Sequence, residues 1–349
     1  MSALARFFNN ASVMVVGYDK TPSPLTHTLI DEGIEISFID DVVSIPSIIL
    51  ENKVESLVVY TPAIPRDNKI FNFFKEQGFE LKKRAEVLGM VTAQTENLSV
   101  AGTHGKTTTS CIVATILQHS NMHFSAFLCG ISTNLASNYY YQSAPSQHLS
   151  VTEADEFDRS FLQLTPQAAL ITNIDPDHLD IYGDRGSFYQ GFADFADLLS
   201  TPKRLVVHES VTGIDLDQAV IYGEGPSVDY RLLNHRVVDE KIYFDIQTPQ
   251  GYWADISWHL PGVHNALNAL GALALGMETE LDPKALIRGI EKFLGVQRRF
   301  SIEINRTDLV MVDDYAHHPT EIKAAIQSVR DLYPHQRVVG IFQPHLYSR

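Results

Sequence analysis

Two cysteines in 349 residues, Cys111 and Cys129, cannot build a disulfide framework, and their scarcity fits a reducing cytoplasm. Basic residues are also short, 27 Lys and Arg against 42 Asp and Glu, for a formal charge of -15. A nucleic acid or an anionic membrane would be repelled by that field, so any phosphate site must be local. No stretch approaches the roughly 18 to 20 apolar residues of a membrane span, which predicts no membrane insertion. The start, "MSALARFFNNASVMVVGYD", lacks the basic end, apolar core and cleavage site of a signal peptide and reads as a helix end feeding a strand. Neither an internal repeat nor a low-complexity segment is visible. What is present is a 44% apolar chain, enough for real cores, of a length that predicts two or three domains.

Short apolar runs alternate with amphipathic segments of helix length, the pattern of a parallel sheet covered by helices. Early strands are expected at "SVMVV" (12–16), "EISFI" (35–39) and "SLVVY" (56–60), with a helix over "SPLTHTLIDEG" that ends at Gly33. Together they make a small Rossmann-like unit. A second series runs through "NLSVAG", "HLSVTEADE", "AALITNIDPDH" and "RLVVHES", each an apolar strand with polar residues at its carboxyl end, where ligands of such sheets bind. From about 220 to 260 short alternating strands indicate an antiparallel insertion, and "HNALNALGALALG" returns to helix. A third series, "LVMVDDYAHHPTEIKAAIQSVRDLY" then "RVVGIFQPH", reads strand, loop, helix, strand.

Within "AGTHGKTTTS" (101–110), Gly105, Lys106 and Thr107 suggest a phosphate cradle, although Val100 stands where the common G-x-x-x-x-G-K-[ST] loop has its first glycine. A glycine turn entering a helix offers free N–H groups and the positive dipole end, Lys106 adds a mobile charge, and the Thr107 hydroxyl suits a magnesium shell. An ordinary βα turn with a helix cap is the plainer reading. In "VTEADEFDRS", Glu153 ends a strand and begins an acidic cluster with Asp155, Glu156 and Asp158, which is either a metal ligand set or a solvated loop. In "TNIDPDHLDIYG", His178 lies between Asp177 and Asp180 at the next strand end, beside Asn173 and Asp175. Three successive strand ends bearing Lys106 and Thr107, Glu153, and His178 describe one Mg-ATP site.

Asn265 and Asn268 share a helix face and suit the N6/N7 edge of adenine, with helix capping by Asn265 as the alternative. Arg298 and Arg299 in "QRRF" lie at a domain junction, from which a guanidinium can reach a γ-phosphate on closure. In "DDYAHHP", Asp313, Asp314, His317 and His318 suit ribose and phosphates; zinc is a weaker alternative without a spaced third ligand.

With "GYDKTPSPLTHTL", "RAEVLGMV", "AGTHGKTTTS", "EADEFDRSFL", "TNIDPDHLDIYG", "HNALNALGA", "GVQRRF", "VDDYAHHPTEI" and "FQPHLYSR" in view, the chain resembles the Mur ligases over its whole length. "DRSFL", "DDYAHHPTE" and "FQPH" point to the branch that adds L-alanine to UDP-N-acetylmuramate. The shortened G-T-x-G-K-T loop is that family's own form. The resemblance implies an α/β fold of three domains: a Rossmann-like UDP-sugar domain (1–94), a central P-loop ATPase domain with a parallel sheet plus a small antiparallel one (95–297), and a Rossmann-like amino-acid domain (298–349). It implies ATP-driven ligation through an acyl phosphate, with UDP-N-acetylmuramate, L-alanine and ATP as partners and Mg²⁺ as cofactor.

Residue by residue it places Gly102, Thr103, His104, Gly105, Lys106, Thr107 and Thr108 on the phosphates. Thr107, Glu153 and His178 fall on metal, and Asn265 and Asn268 on adenine. Asp314 falls on ribose, Arg298 and Arg299 on phosphate, and His317 and His318 near phosphate or alanine. Asp19, Thr61, Ala63, Arg84 and Glu86 match the UDP-sugar loops, and His345 and Arg349 the far end of the substrate site. The alanine ammonium must lose a proton, for which His178 or His345 is the candidate acceptor.

Departures from the family pattern lead to the expectation of a chain shortened at both ends. Met1 aligns with an internal methionine, so the first strand and its glycine-rich loop are missing, and the third domain is incomplete. Leu346 stands where many members have arginine. No lysine follows His178 before Lys203, which predicts no carbamoylated metal-bridging lysine. The rival functions are a sister ligase that attaches a whole peptide to the same UDP-sugar, a folate-polyglutamylating enzyme, a simple P-loop phosphotransferase, and an inactive nucleotide-binding fragment.

Overall fold

The structure, a computed structural model, describes residues 1–142, 148–177, 179–201, 204–238 and 241–344. The chain divides into two compact units, 1–94 and 95–349. In the first, helix α1 (Ser2–Asn10) leads to β1 (Val16–Tyr18), α2 (Pro24–Asp31), β2 (Glu35–Ser37) and α3 (Ser47–Glu51). Strand β3 (Leu57–Tyr60), α4 (Lys69–Glu76), β4 (Glu80–Lys83) and α5 (Arg84–Thr92) complete it. β1 pairs with β2 and β3 with β4, both in parallel. Helix α2 starts where the sequence says it should: Ser23 and Thr26 form a reciprocal capping box, and Pro24 needs no donor at the first helical position.

β1 begins four residues later than "SVMVV" predicts. The end of α1 takes the first two of them, since Ser12 sits at φ 60° and the N–H groups of Ser12 and Val13 return to carbonyls of Asn9 and Phe8. An apolar run spent on satisfying a helix end cannot also join a ladder.

The second unit is built on β5 (Glu96–Ala101), α6 (Lys106–Gln118), β6 (Phe124–Ser132), β7 (Ser137–Tyr141), β8 (Leu149–Glu153), β9 (Pro166–Ile171), α7 (Leu179–Tyr182), α8 (Arg185–Ala196) and β10 (Leu205–His208). Strands β11 (Val220–Gly223), β12 (Tyr230–Val238), β13 (Lys241–Thr248) and β14 (Gly251–Trp258) come next, then α9 (Val263–Glu278) and α10 (Pro283–Glu291). The last elements are β15 (Ser301–Asn305), β16 (Val310–Asp313) and α11 (Pro319–Leu332).

Among the described residues ten strands form one sheet in the order β14-β13-β12-β11-β10-β9-β5-β8-β6-β7. Its centre is parallel, and the antiparallel β12 to β14 extend one edge, in the region where the sequence predicts alternating strands. Strand β5 is buried on both faces, as a central parallel strand must be. Helix α6 is buried from Thr107 through Leu117 because α9 and α10 cover it. α10 approaches so closely that a Cβ on Gly289 would stand 2.5 Å from the Ile116 Cα.

β15 and β16 form an antiparallel pair ahead of α11. The strand expected at "RVVGI" is absent among the described residues. Val339 and Ile341 are largely exposed there, and an extended segment with no neighbouring strand has no ladder to join.

Candidate active site

The chain passes from β8 on one side of β5 to β9 on the other, so three strand ends meet at a topological switch point. Register aligns them: Val100 stands opposite Glu153, and Ala101 opposite Ile171. The loops leaving these three strands therefore converge.

After β5 comes the glycine loop. Gly102 has φ 131°, and a Cβ there would fall 2.0 Å from the Thr172 Oγ1; Gly105 has φ 80°, and a Cβ would meet the Asn268 Oδ1 at 2.6 Å. No other residue fits either position without displacing neighbours. The loop is tied to the β9 end. Thr103 Oγ1 donates to the Asp175 carbonyl (2.7 Å), His104 N–H donates to Asn173 Oδ1 (3.0 Å), and the His104 carbonyl accepts from Thr172 Oγ1 (2.5 Å) and Asn173 Nδ2 (3.0 Å).

Helix α6 opens at Lys106. Its ammonium contacts the carbonyls of Gly102 (2.6 Å) and Thr103 (3.2 Å) and the Glu156 carboxylate (2.7 Å). Burial alone would lower the lysine pKa, but Glu156, Asp155 and Glu153 outweigh it and keep the group charged. Burial pushes Glu156 up to about 7 against the pull of Lys106. The Glu156 position is set by an irregular turn in which Asp158 and Arg159 both take left-handed backbone angles, and by Tyr182 Oη, which donates to the Glu156 carbonyl (2.6 Å).

Thr107 Oγ1 donates to Glu153 Oε1 at 2.9 Å, and Glu153 Oε2 accepts the Cys129 N–H at 3.2 Å. Both side chains are buried. Thr108, next along the helix, is buried too. Among the described residues no three His, Cys, Asp or Glu side chains converge on a metal position. His178, the third expected ligand, lies outside the described residues.

Residues 295–299 run along the end of β6, where Thr133 N–H donates to the Gly295 carbonyl and Gln297 N–H to the Ile131 carbonyl, both at 3.0 Å. Gly130 lets this segment close on the loop helix, because a Cβ there would meet Thr107 Cγ2 at 2.6 Å and Val296 Cγ1 at 2.9 Å. The segment brings Arg299 to 3.7 Å from Glu321 on α11 and over the Tyr315 ring. Arg298, mostly exposed, also lies over the Tyr315 ring and is 3.7 Å from Asp313.

Asp314, expected on ribose, accepts the N–H groups of Phe300 (2.8 Å) and Ala316 (2.7 Å) and thus shapes the turn before α11. Burial raises its pKa. Asn265 Nδ2 donates to the Pro261 carbonyl (2.8 Å) ahead of α9, whose amino end has no side-chain cap, so Asn265 is not the cap, while Asn268 lies against Gly105 of the loop. The His318 ring lies tilted against that of His104, centroids 4.7 Å apart, and His317 Nδ1 is 3.3 Å from Glu321.

In the first unit, Asp19 follows β1 and accepts the Thr21 N–H (3.1 Å). Thr61 and Ala63 occupy the turn after β3, where the Thr61 carbonyl accepts from Ile64 N–H. Arg84 opens α5, and Glu86 caps it by accepting the Lys83 N–H (2.6 Å). His345 and Arg349 lie outside the described residues.

The sequence places Glu156 only in an acidic cluster, either metal ligands or a solvated loop, and gives no role to Thr172 or Glu321. Glu156 carried one signal, its place three residues beyond a strand-end carboxylate. Glu321 carried another, since "HPTE" has the spacing of a helix capping box.

Comparison with known proteins agrees with this layout. Residues 1–96 match the description "Mur ligase family, catalytic domain", 100–276 "Mur ligase middle domain" and 298–347 "Mur ligase, glutamate ligase domain". A UDP-N-acetylmuramate–L-alanine ligase of Christiangramia forsetii is 46% identical over all of this chain, which spans 76% of that protein. A crystal structure of the UDP-N-acetylmuramate-alanine ligase from Thermotoga maritima superposes with a TM-score of 0.87 at 26% identity, covering 99% of this chain and 78% of that one. A Neisseria ligase for UDP-N-acetylmuramate and an L-alanyl-γ-D-glutamyl-meso-diaminopimelate peptide reaches 0.75 at 22% identity, over 85% of this chain and 96% of that one, a likeness of fold.

Proposed function

The chain belongs to the Mur ligase family, and from that premise we propose that it joins L-alanine to the lactyl carboxylate of UDP-N-acetylmuramate at the expense of ATP, in the synthesis of peptidoglycan precursors in the cytoplasm. The 46% identity along the whole chain carries this reading over the peptide-adding one. The site supports it chemically. A glycine cradle, the amino end of a 13-residue helix and Lys106 suit a triphosphate.

The paired oxygens of Thr107 and Glu153 fit magnesium, which takes few protein oxygens beside phosphates and water. Thr107, Glu153 and His178 would hold it, and when bound it neutralises charge on the phosphoryl oxygens. In the first step the lactyl carboxylate forms a bond to the γ-phosphorus while the bridging P–O bond breaks and ADP leaves. Lys106 leaves Glu156 to meet the β,γ-phosphates, and Arg299 meets the transferred group from the other side. In the second step the alanine amine, relieved of a proton by His178 or His345, attacks the acyl carbon and phosphate departs. We assign residues 1–94 to the UDP-sugar, with Asp19, Thr61, Ala63, Arg84 and Glu86 in its loops. Residues 95–297 are assigned to ATP, and 298–349, with His345 and Arg349, to the amino acid.

Measuring ADP release with UDP-N-acetylmuramate, with and without L-alanine, tests the reading. Release that requires alanine is expected; release indifferent to alanine, or stimulated only by the tripeptide, overturns it. Lys106→Ala should abolish turnover and leave UDP-sugar binding within about threefold, because uniform loss of both would indicate misfolding.

A further inference from the structure

Glu321 touches the phosphate loop, the Arg299 guanidinium and the start of the last helix. Its side chain, 13% exposed, reaches from the first turn of α11 to the phosphate loop. Oε1 lies 3.2 Å from His104 Nδ1 and 3.7 Å from an Arg299 guanidinium nitrogen. Oε2 accepts the backbone N–H groups of His317 (3.1 Å) and His318 (3.3 Å). His104 is the loop residue between Thr103 and Gly105, and its main chain is clamped on both sides by Asn173 and Thr172. Its other nitrogen, Nε2, is buried without a hydrogen bond among the described residues, with Asp175 Oδ2 3.3 Å away but out of line. One carboxylate thus joins three parts of the second unit: the loop that faces phosphate, the segment that carries Arg299, and the start of the last helix.

We propose that Glu321 is a positioning residue that couples the phosphate loop to the 298–344 segment: it orients His104 through Nδ1 and holds Arg299 and the α11 start in register with the loop. This rests on the ligase reading above. The reasons are geometric. A helix cap alone uses one carboxylate oxygen toward backbone N–H groups and needs neither a histidine from residue 104 nor an arginine from residue 299. A flexible arginine at a domain junction gains precision when a carboxylate fixes it, and small displacements at a phosphoryl site are costly in rate. Loop occupancy and α11 placement are then linked through two rigid contacts.

The test is a double-mutant cycle on kcat in the full chain, with melting temperature measured alongside. Glu321→Ala and His104→Ala should each lower kcat by roughly tenfold or more while the KM for ATP moves less than about threefold, and the double variant should be no slower than the worse single one. Losses that multiply in the double variant overturn the coupling. Glu321→Gln keeps an acceptor for the His317 and His318 N–H groups but not the charge. It should regain only the part of the melting temperature that the cap supplies, staying below the unaltered chain, and should not regain kcat; recovery of kcat would show a cap and nothing more.

A readout independent of turnover is amide exchange. A non-hydrolysable ATP analogue with magnesium should slow exchange in residues 317–323 of the unaltered chain and not in Glu321→Ala. Protection that persists in the variant also overturns the proposal. If the unaltered chain shows no alanine dependence, the ligase reading fails, whereas the exchange experiment still decides the coupling.

Discussion

Lys106 and Glu156 form a buried ion pair at the place a phosphate would take, so each is costly without the other. Lys106→Met leaves a carboxylate in a site that already pushes its pKa up to about 7 and should destabilise the chain by about 3 kcal/mol in urea unfolding. Adding Glu156→Gln should restore most of that, and a double variant no more stable than the single would disprove the pairing. Glu321 behaves oppositely. Burial would raise its pKa, but hydrogen bonds from His104 and the His317 N–H, with the charges of His104 and Arg299, hold it well below the usual carboxylate range. The folded chain therefore binds fewer protons than the unfolded one below the ordinary value of 4.5, and this stabilisation is complete above that pH and lost as pH falls further. Relative to Glu321→Gln, the unaltered chain should be more stable by about 1.5–3 kcal/mol at pH 7, with a difference that shrinks below pH 4.5. A difference that is flat across that range would contradict the assignment.

Elements were legible where local chemistry decides them. The α2 start followed from Ser23 and Pro24, and the loop before α6 from its glycines. They were less legible where a neighbour decides: β1 lost residues 12 and 13 to the end of α1, and 337–341 found no ladder. The helix layer shows the same dependence. Nothing in "IRGIEKF" marks Gly289 as the point where α10 meets the Ile116 backbone, yet Gly289→Ala should cost about 1–3 kcal/mol by overpacking, measurable as a lowered melting temperature. Gly102→Ala faces both a φ of 131° and the Thr172 hydroxyl, so nucleotide binding should fall far more than stability. Equal losses in both would place the strain outside the loop.

At the scale of the whole chain, each unit carries its own strands and helices, and the function proposed above gives each its own ligand. Amide exchange should therefore separate them. UDP-N-acetylmuramate should protect residues around 17–21, 61–65 and 84–86, and a nucleotide those around 102–108 and 172–175. Protection of the glycine loop by the UDP-sugar alone would overturn the division. No helix among the described residues is long and apolar enough to cross a membrane, consistent with the sequence.

The sequence by itself determined what the loop can offer, because glycine brings backbone freedom, lysine a charge and threonine a hydroxyl whatever fold surrounds them. It also determined the strand ends, since an apolar run followed by polar residues can be buried only one way round. Tertiary structure alone decided which partner each charge received. Glu156 meets Lys106 across the β5 and β8 ends, and Glu321 meets His104 across more than two hundred residues. Such pairs are set by distance in space, and the order of residues along the chain holds no measure of that distance.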